Sequence, residues 1–164
     1  MKKRYLLQTG AAIVGVMALS RYLSSKSEAQ TASESGFEIV KAEAEWRRIL
    51  SPDQFNVLRQ HGTEPRFSSP LDKQFAQGVY HCAGCALPLF SSDTKFDSGT
   101  GWPSFYAPID NAIRTSVDHS FLMTRTEVHC RRCGGHLGHV FDDGPAPTGE
   151  RYCINGVALK FVAQ

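Results

Sequence analysis

Two Cys-x-x-Cys units of identical spacing, Cys82–Cys85 and Cys130–Cys133, are the strongest chemical signal in the chain. Two residues between the cysteines allow one tight turn to aim both sulfurs at the same ion, and four thiolates suit the tetrahedral coordination of zinc. The 44 residues between the units exceed what a single zinc ribbon needs, so the ion would join two loops distant in sequence. We therefore predict one structural zinc held by Cys82, Cys85, Cys130 and Cys133.

The same four cysteines have other interpretations. A Cys-x-x-Cys can be a thioredoxin-type dithiol, but that motif belongs to a βαβ context that this sequence lacks. Disulfides would form in an oxidising compartment. Iron accepts the same set of tetrahedral thiolates, so the ligand type alone leaves zinc and iron open. The matched spacing of the two units favours a metal site over a redox pair.

The fifth cysteine, Cys153, has no second cysteine near it in the segment Arg151-Tyr152-Cys153-Ile154-Asn155. The thiolate is the nucleophilic form of cysteine, and Arg151 would favour it if both side chains point the same way. Asn155 could supply a hydrogen-bond donor. The alternative is a buried, inert thiol, which is common for cysteine. Cys153 is thus a candidate nucleophile.

Two histidines three residues apart, His136 and His139, lie upstream of Cys153. They could serve as general acids or as orienting groups near neutral pH. A regular strand would place them on opposite faces, whereas a turn at Gly138 would bring them together; they could also be extra metal ligands or polar loop residues. Trp102, between glycine and proline in Gly101-Trp102-Pro103, is a candidate rim aromatic.

The elements that must position these residues are mainly strands. From about residue 63, turn residues recur often, and short apolar segments such as 121–123 and 157–162 lie between them. This pattern predicts a small antiparallel sheet fold. Before it, residues 43–50 form an amphipathic turn or two, and Ser51-Pro52 has the residue types of an N-cap and first helical position. We expect Gly62 to end that second helix.

The first 29 residues have the order of a secretory signal. A basic start at residues 2–4 precedes an apolar run over 6–19, which is shorter than the roughly 20 residues that span a bilayer. We therefore assign residues 1–29 to a signal peptide or N-terminal anchor, 30–40 to a linker and 41–164 to one folded domain that carries the candidate site. The protein is expected in the periplasm or an equivalent lumen, or anchored through residues 5–23 and facing that compartment.

The charge balance argues against a nucleic-acid partner. The net charge of +2 comes from the leader, because residues 1–29 hold five basic residues and one acidic residue. The remainder has 13 basic and 15 acidic residues, so no basic excess neutralises phosphates. With 41% hydrophobic and 21% charged residues the chain is foldable rather than disordered.

Several stretches in order resemble the methionine sulfoxide reductase B family over about residues 41–163: GTEPRFSSPLD, YHCAGCALPLF, KFDSGTGWPSF, RTEVHCRRCGGHLGHVFDDGP and RYCINGVALKF. The resemblance implies a mainly β domain, a pair of antiparallel sheets sometimes called a β-tent, with short N-terminal helices. It also implies thiol-dependent reduction of the R epimer of methionine sulfoxide, chiefly in proteins, as repair of oxidative damage.

The resemblance implies a role for each candidate residue. Cys153 matches the nucleophile that becomes a sulfenic acid, and His136 and His139 match active-site histidines. Asn155 matches an active-site asparagine, and Trp102 matches the tryptophan that packs on the substrate's S-methyl group. Arg151 lies close to the site in the motif and is assigned to substrate binding. The zinc ligands of the family match Cys82, Cys85, Cys130 and Cys133.

The chain departs from one common family pattern at Thr100, where many members carry a resolving cysteine. If zinc holds four cysteines, none is left to attack the Cys153 sulfenic acid, so we predict an external thiol reductant, thioredoxin-like or glutaredoxin-like. The other expected partners are proteins or peptides that contain methionine (R)-sulfoxide, and we expect a monomer. The alternative function is a non-catalytic, zinc-stapled β-tent that binds a ligand or peptide. A zinc hydrolase ranks last, because four cysteines leave no open coordination position.

Overall fold

The computed structural model describes residues 36–120 and 123–164, and Lys41–Gln164 form one compact unit. The predicted leader, most of the predicted linker, and Phe121 and Leu122 of the predicted apolar segment lie outside the described residues. Within the described ranges, no helix combines the length and apolar character needed to cross a membrane.

Two short helices begin the compact unit: α1 covers Glu43–Ile49 and α2 covers Pro52–Gln60. The Oγ of Ser51 accepts a hydrogen bond from the Gln54 amide at 3.2 Å, so Ser51 is the N-cap that its residue type predicts. The helix ends before Gly62, because His61 adopts the left-handed conformation (φ 56°) that closes a helix.

In residues 36–120 and 123–164, nine strands form two sheets in which every neighbouring pair is antiparallel. The smaller sheet has the order β2-β1-β9, and the larger has the order β3-β4-β8-β7-β6-β5. The strands are β1 Gly78–Cys82, β2 Pro88–Ser91, β3 Lys95–Phe96, β4 Ser104–Phe105, β5 Ile113–Asp118, β6 Arg125–Cys130, β7 His136–Phe141, β8 Arg151–Ile154 and β9 Leu159–Ala163. The predicted mainly β fold with short N-terminal helices is confirmed.

Aromatic side chains join the two sheets in the core. Phe90 of β2 stacks on Phe105 of β4 with ring centroids 4.4 Å apart, and Tyr80 of β1 meets Phe105 edge-on at 5.0 Å. All three side chains are fully buried. Aromatic pairs of this kind contribute about 0.5–1.5 kcal/mol each beyond their buried area, so they hold the sheets in a fixed relation. That relation positions the loops that carry the site.

The predicted apolar segment 157–162 begins with a turn and becomes a strand only at its third residue. Residues Gly156–Ala158 form a short 3-10 turn, and β9 starts only at Leu159. The turn is fixed from outside, because the buried carboxylate of Glu64 accepts hydrogen bonds from the amides of Gly156 and Val157. Periodicity within the segment contains no information about that distant partner.

Candidate active site

Four cysteine sulfurs meet at one end of the two sheets. All four Sγ atoms lie within 4.8 Å of one another, with 3.8 Å between Cys82 and Cys133 and 3.5 Å between Cys85 and Cys130. A tetrahedron with metal–sulfur bonds of ~2.3 Å has edges of about 3.8 Å. All five cysteines of the chain are free thiols, so none of the four is in a disulfide. The donor set and its spacing fit one metal ion, as the sequence predicts.

The two Cys-x-x-Cys turns have the same backbone geometry. The Ala86 amide donates to the Cys82 carbonyl at 2.8 Å, and the Gly134 amide donates to the Cys130 carbonyl at 2.9 Å. Ala86 (φ 57°) and Gly134 (φ 67°) are both left-handed. Because Cys82 ends β1 of the smaller sheet and Cys130 ends β6 of the larger sheet, one ion bound here would fasten the two sheets together.

A separate pocket of about 130 Å³ opens on the larger sheet. It contains four of the six residues predicted for catalysis or substrate binding. The pocket is lined by Thr63, Trp102, Arg125, Gly138, His139, Phe141, Cys153 and Asn155. Within the described part of the chain, His136 and Arg151 are not among its lining residues. The structure therefore brings Trp102, His139, Cys153 and Asn155 together in the lining of one pocket, which does not include the other two.

The strand register explains why Cys153 and His139 share this pocket. Cys153 of β8 is paired with His139 of β7 on one side and with Ser104 of β4 on the other. Residues directly opposite in an antiparallel pair present their side chains on the same face. Next to His139, a Cβ on Gly138 would lie 2.0 Å from the Cys153 carbonyl oxygen. Glycine is therefore required for β7 to approach β8 this closely.

A β-bulge in β7 puts His136 and His139 on the same side of the sheet. Two consecutive residues of β6 pair with Gly138 and His136, so Leu137 is an extra residue in β7. Residues three positions apart on a regular strand point to opposite faces of the sheet. The one extra residue in the bulge cancels this reversal, so both histidines point to the same face. The two rings meet edge-on with centroids 5.4 Å apart. Neither of the two arrangements considered from sequence, opposite faces or a turn at Gly138, describes this geometry.

Burial dominates the environment of the Cys153 thiol and raises its pKa. Two neighbours act in the opposite direction: the Thr100 hydroxyl, whose Oγ1 lies 3.9 Å from Sγ, and the Arg151 guanidinium. Arg151 precedes Cys153 by two residues on β8 and so lies on the same face. Its Nε and Nη2 donate to the Asp143 carboxylate at 2.8 and 2.9 Å. That ion pair fixes the cation beside the thiol.

His139 forms a hydrogen bond with Asp118, a residue that the sequence patterns did not single out. The distance from His139 Nε2 to Asp118 Oδ2 is 2.8 Å, and Arg125 donates to the same oxygen at 2.7 Å. Hydrogen bonds from Ser120, then that from His139, keep the pKa of Asp118 well below its usual range. An ionised Asp118 fixes a hydrogen on Nε2 and leaves Nδ1 of His139 as the nitrogen that can exchange a proton.

His136 is paired with a different carboxylate. Its Nδ1 donates to Glu127 Oε1 at 2.7 Å, and its side chain is only 3% exposed. Burial lowers the pKa of His136 and outweighs the opposing effect of Glu127. His136 is therefore a neutral, buried ring that packs against His139. Glu127 gave no sequence signal, because one acidic residue in an alternating strand is typical of a solvated face.

Buried Glu64 connects three parts of the site. Its carbonyl accepts the Nε1 hydrogen of Trp102 at 3.1 Å, and its amide donates to Asn155 Oδ1 at 2.9 Å. The Nδ2 of Asn155 in turn donates to the Leu137 carbonyl at 2.9 Å. Asn155 thus ties the Glu64 loop to β7, and Glu64 fixes the orientation of the tryptophan ring. A glutamate before proline in a polar loop gives no pattern that predicts this burial.

The family model of the SelR domain matches residues 50–163. Proteins named "Peptide methionine sulfoxide reductase MsrB" are similar to the chain. That of Methanosarcina barkeri is 59% identical over 75% of this chain and 87% of its own. The proteins of Pseudomonas fluorescens and Leptospira interrogans are 58% and 53% identical over 76% of this chain and 96% of theirs. The resemblance inferred from the motifs is confirmed, and the chain belongs to the SelR domain family.

Proposed function

We propose that this protein reduces methionine (R)-sulfoxide, chiefly in proteins, back to methionine, as repair of oxidative damage. One observation carries the proposal: the Cys153 thiol lies directly opposite His139 in a pocket that Trp102 also lines. A nucleophile, a proton donor and an aromatic surface are the three groups that this reduction needs. The relatives, named for the same reaction, support it.

In the first step the Cys153 sulfur attacks the sulfur of the sulfoxide, which is electrophilic because its S–O bond is strongly polarised. The S–S bond formed by this attack is transient: it breaks, together with the S–O bond of the substrate, as the oxygen passes to Cys153 to give a sulfenic acid and methionine leaves. The sulfoxide sulfur gains the two electrons that the thiol sulfur loses. The thiol hydrogen ends on the transferred oxygen, so atoms and charge balance without another reactant.

His139 is the residue that we assign to proton transfer in this step. It lines the pocket opposite Cys153, and Asp118 holds its Nε2, which leaves Nδ1 to exchange the proton. The sulfoxide oxygen is a poor leaving group until it is protonated, which makes this transfer essential. His136 is neutral and packed against His139, so we assign it a positioning role.

Trp102 supplies the surface for the methyl group of the substrate. Its indole lines the pocket, and its Nε1 is already engaged by the Glu64 carbonyl, so the ring face is the part left for an apolar contact. Cys153, His139 and Trp102 together would contact three different substituents of one chiral sulfur. Three fixed contacts are sufficient to select one epimer.

Regeneration of Cys153 requires two external thiols. The first displaces water from the sulfenic acid and forms a mixed disulfide; the second reduces that disulfide and releases the oxidised reductant. Thr100, 3.9 Å from the Cys153 sulfur, occupies the position that would suit a resolving cysteine but has no thiol to offer. A thioredoxin-like or glutaredoxin-like protein is the expected reductant.

The four-cysteine cluster is assigned to one structural zinc ion, held by Cys82, Cys85, Cys130 and Cys133. Zinc supplies tetrahedral cross-linking of its ligands, and four thiolates close its coordination sphere to substrate. The cysteines come from both sheets, so their role is to stabilise the fold that positions Cys153. No step of the reduction passes through this cluster.

The proposed role of the N-terminal residues in export or anchoring is independent of the proposed reaction. Residues 1–29 would act as a signal peptide or, uncleaved, as an anchor through residues 5–23, with 30–40 as linker and 41–164 as the catalytic domain of a monomer. The protein would then work in the periplasm or an equivalent lumen. Mass spectrometry of the mature N-terminus of native protein tests this: a start near residue 30 supports cleavage, and an intact Met1 supports the anchor.

The catalytic proposal is tested with separated R and S epimers of methionine sulfoxide, free and within a peptide, using a dithiol reductant. Wild-type protein should reduce only the R epimer and should favour the peptide. The matched variant Cys153→Ser, which replaces one sulfur by oxygen, should be inactive while keeping the same zinc content. An inactive wild type with zinc bound, or equal reduction of both epimers, would reject the proposal.

A further inference from the structure

Three side chains at the end of α2 and on the larger sheet form a second cluster of metal-ligand type. They are His61, Glu127 and His136, and one donor atom from each lies within 4.8 Å of the other two. His61 Nδ1 and His136 Nδ1 approach the same oxygen, Glu127 Oε1, at 3.1 and 2.7 Å. The two imidazole rings are tilted, with centroids 5.2 Å apart. Three donors thus converge from α2, β6 and β7.

We propose that His61, Glu127 and His136 form a second metal site, distinct from the cysteine cluster, for a divalent transition-metal ion such as Zn2+. With bonds of ~2.0–2.1 Å, donor atoms around a tetrahedral zinc are about 3.3 Å apart. The His61–Glu127 distance of 3.1 Å is close to that value, and the His136–Glu127 distance of 2.7 Å would lengthen by about 0.6 Å when an ion replaces the shared hydrogen. Two histidines and one glutamate are also a donor set that zinc uses in sites that keep a fourth position for water.

The surroundings of the cluster suit a bound cation. The Ser116 hydroxyl donates to the second oxygen of Glu127 at 2.7 Å, which orients the carboxylate and leaves Oε1 toward the histidines. The His61 side chain is 64% exposed, so an ion can enter from solvent, whereas His136 is 3% exposed at the inner end. Both rings can free Nδ1 for the metal by moving a neutral ring's hydrogen to Nε2.

The proposed metal site would contact the pocket that contains Cys153, through the His136 ring. His136 is a proposed ligand, and its ring lies edge-on to His139 with centroids 5.4 Å apart. A bound ion would fix the His136 ring and place a positive charge behind the residue that we assign to proton transfer. Metal binding itself requires no reductase chemistry, so the metal site and the proposed function can succeed or fail separately.

The test uses the full chain in the Cys153→Ser background, with the cysteine cluster already filled, because the free thiol would otherwise capture added metal. Protein is dialysed to equilibrium against micromolar free Zn2+, and zinc per chain is measured. We expect about one further zinc per chain beyond the cysteine cluster. His61→Asn should lose it, since asparagine keeps the left-handed helix cap but removes the imidazole. His81→Asn, at a histidine outside the cluster, is the matched control and should retain it.

A graded variant separates a built site from incidental binding. Ser116→Ala removes only the orienting hydroxyl and should weaken uptake of the second zinc by roughly tenfold or more. The proposal is overturned if zinc content stays at the cysteine-cluster value, or if His61→Asn binds as much zinc as His81→Asn. A normal melting transition and an intact first zinc in each variant show that the fold is retained.

Discussion

His139 of β7 lies directly opposite Cys153 of β8, and the Nε2 of His139 is 2.8 Å from the Asp118 carboxylate. The sheet therefore carries a candidate nucleophile on β8, a candidate acid on the neighbouring β7, and the anion that orients this acid on β5, with β6 lying between β7 and β5. Strand pairing fixes the contact of Cys153 with His139, and the pairing of β5 with β6, in which Asp118 lies opposite Arg125, brings the carboxylate to His139. This relationship is the basis of the catalytic predictions below.

Removal of the His139 imidazole should abolish most of the catalytic rate. We expect His139→Gln to lower kcat by about 10²–10⁴-fold, the usual contribution of a positioned general acid. Asp118→Asn should lower kcat by a smaller factor than His139→Gln. It should also change the pH dependence of kcat, because the anion that fixes the His139 tautomer is lost. Steady-state kinetics from pH 5 to 10 measure both. His81→Gln is the control and should retain full activity; a fully active His139→Gln would contradict the assignment.

Thr100 should convert readily into a resolving residue. Its Oγ1 is 3.9 Å from the Cys153 sulfur, whereas a disulfide needs about 2.05 Å, so the loop must move by roughly 2 Å. We predict that Thr100→Cys forms a 100–153 disulfide after one turnover and becomes a better substrate for thioredoxin. Peptide mapping detects the bond. Thr100→Ser is the control without a thiol. A sulfenic acid that persists in Thr100→Cys would show that the loop cannot bring residue 100 within bonding distance of the Cys153 sulfur.

The ionisation of Cys153 should depend on Arg151. Burial raises the thiol pKa, so the thiolate fraction, and with it the rate of alkylation by iodoacetamide, should still be rising above about pH 8.5. The Arg151 guanidinium opposes that rise, so Arg151→Met should move the midpoint to higher pH. Mass spectrometry of the Cys153 peptide follows the reaction, with Arg48→Met as a distant control. A midpoint that is unchanged or lower in Arg151→Met would contradict this electrostatic role.

Loss of the zinc ion that we propose for the cysteine cluster should destabilise the whole domain. The four sulfurs connect both sheets, so chelation or Cys85→Ser should lower the free energy of unfolding by several kcal/mol. Denaturant unfolding and zinc analysis measure the two effects together. Cys153→Ser should leave both unchanged, which separates the structural cysteines from the catalytic one. Equal stability with and without metal would reject a structural role.

Much of the fold and half of the site can be predicted from local sequence. Paired Cys-x-x-Cys spacing predicts the cluster, since each turn is set by adjacent residues. Frequent turns between short apolar segments predict antiparallel sheets. The Ser51-Pro52 start of α2 follows from capping chemistry. These features depend on neighbours in the chain, and the structure contains them.

The remaining features depend on distant partners. The extra residue Leu137, which brings His136 and His139 to one face, is visible only in the pairing of β6 with β7. Glu64 is buried because amides some 90 residues away donate to it. Asp118 becomes part of the site only when β5 pairs with β6. None of these partners is encoded by a local pattern, so the sequence did not reveal Glu64 or Asp118, nor Glu127 beside His136.

We propose that Cys153 alone, of the five cysteines, participates in the reduction and that it finishes as a sulfenic acid. The most direct measurement is a single turnover without reductant, in the presence of dimedone, followed by peptide mass spectrometry. We expect about one methionine formed per chain, a dimedone adduct on Cys153, and four unmodified cysteines. A disulfide between Cys153 and any of the other four, or methionine formed by Cys153→Ser, would contradict it.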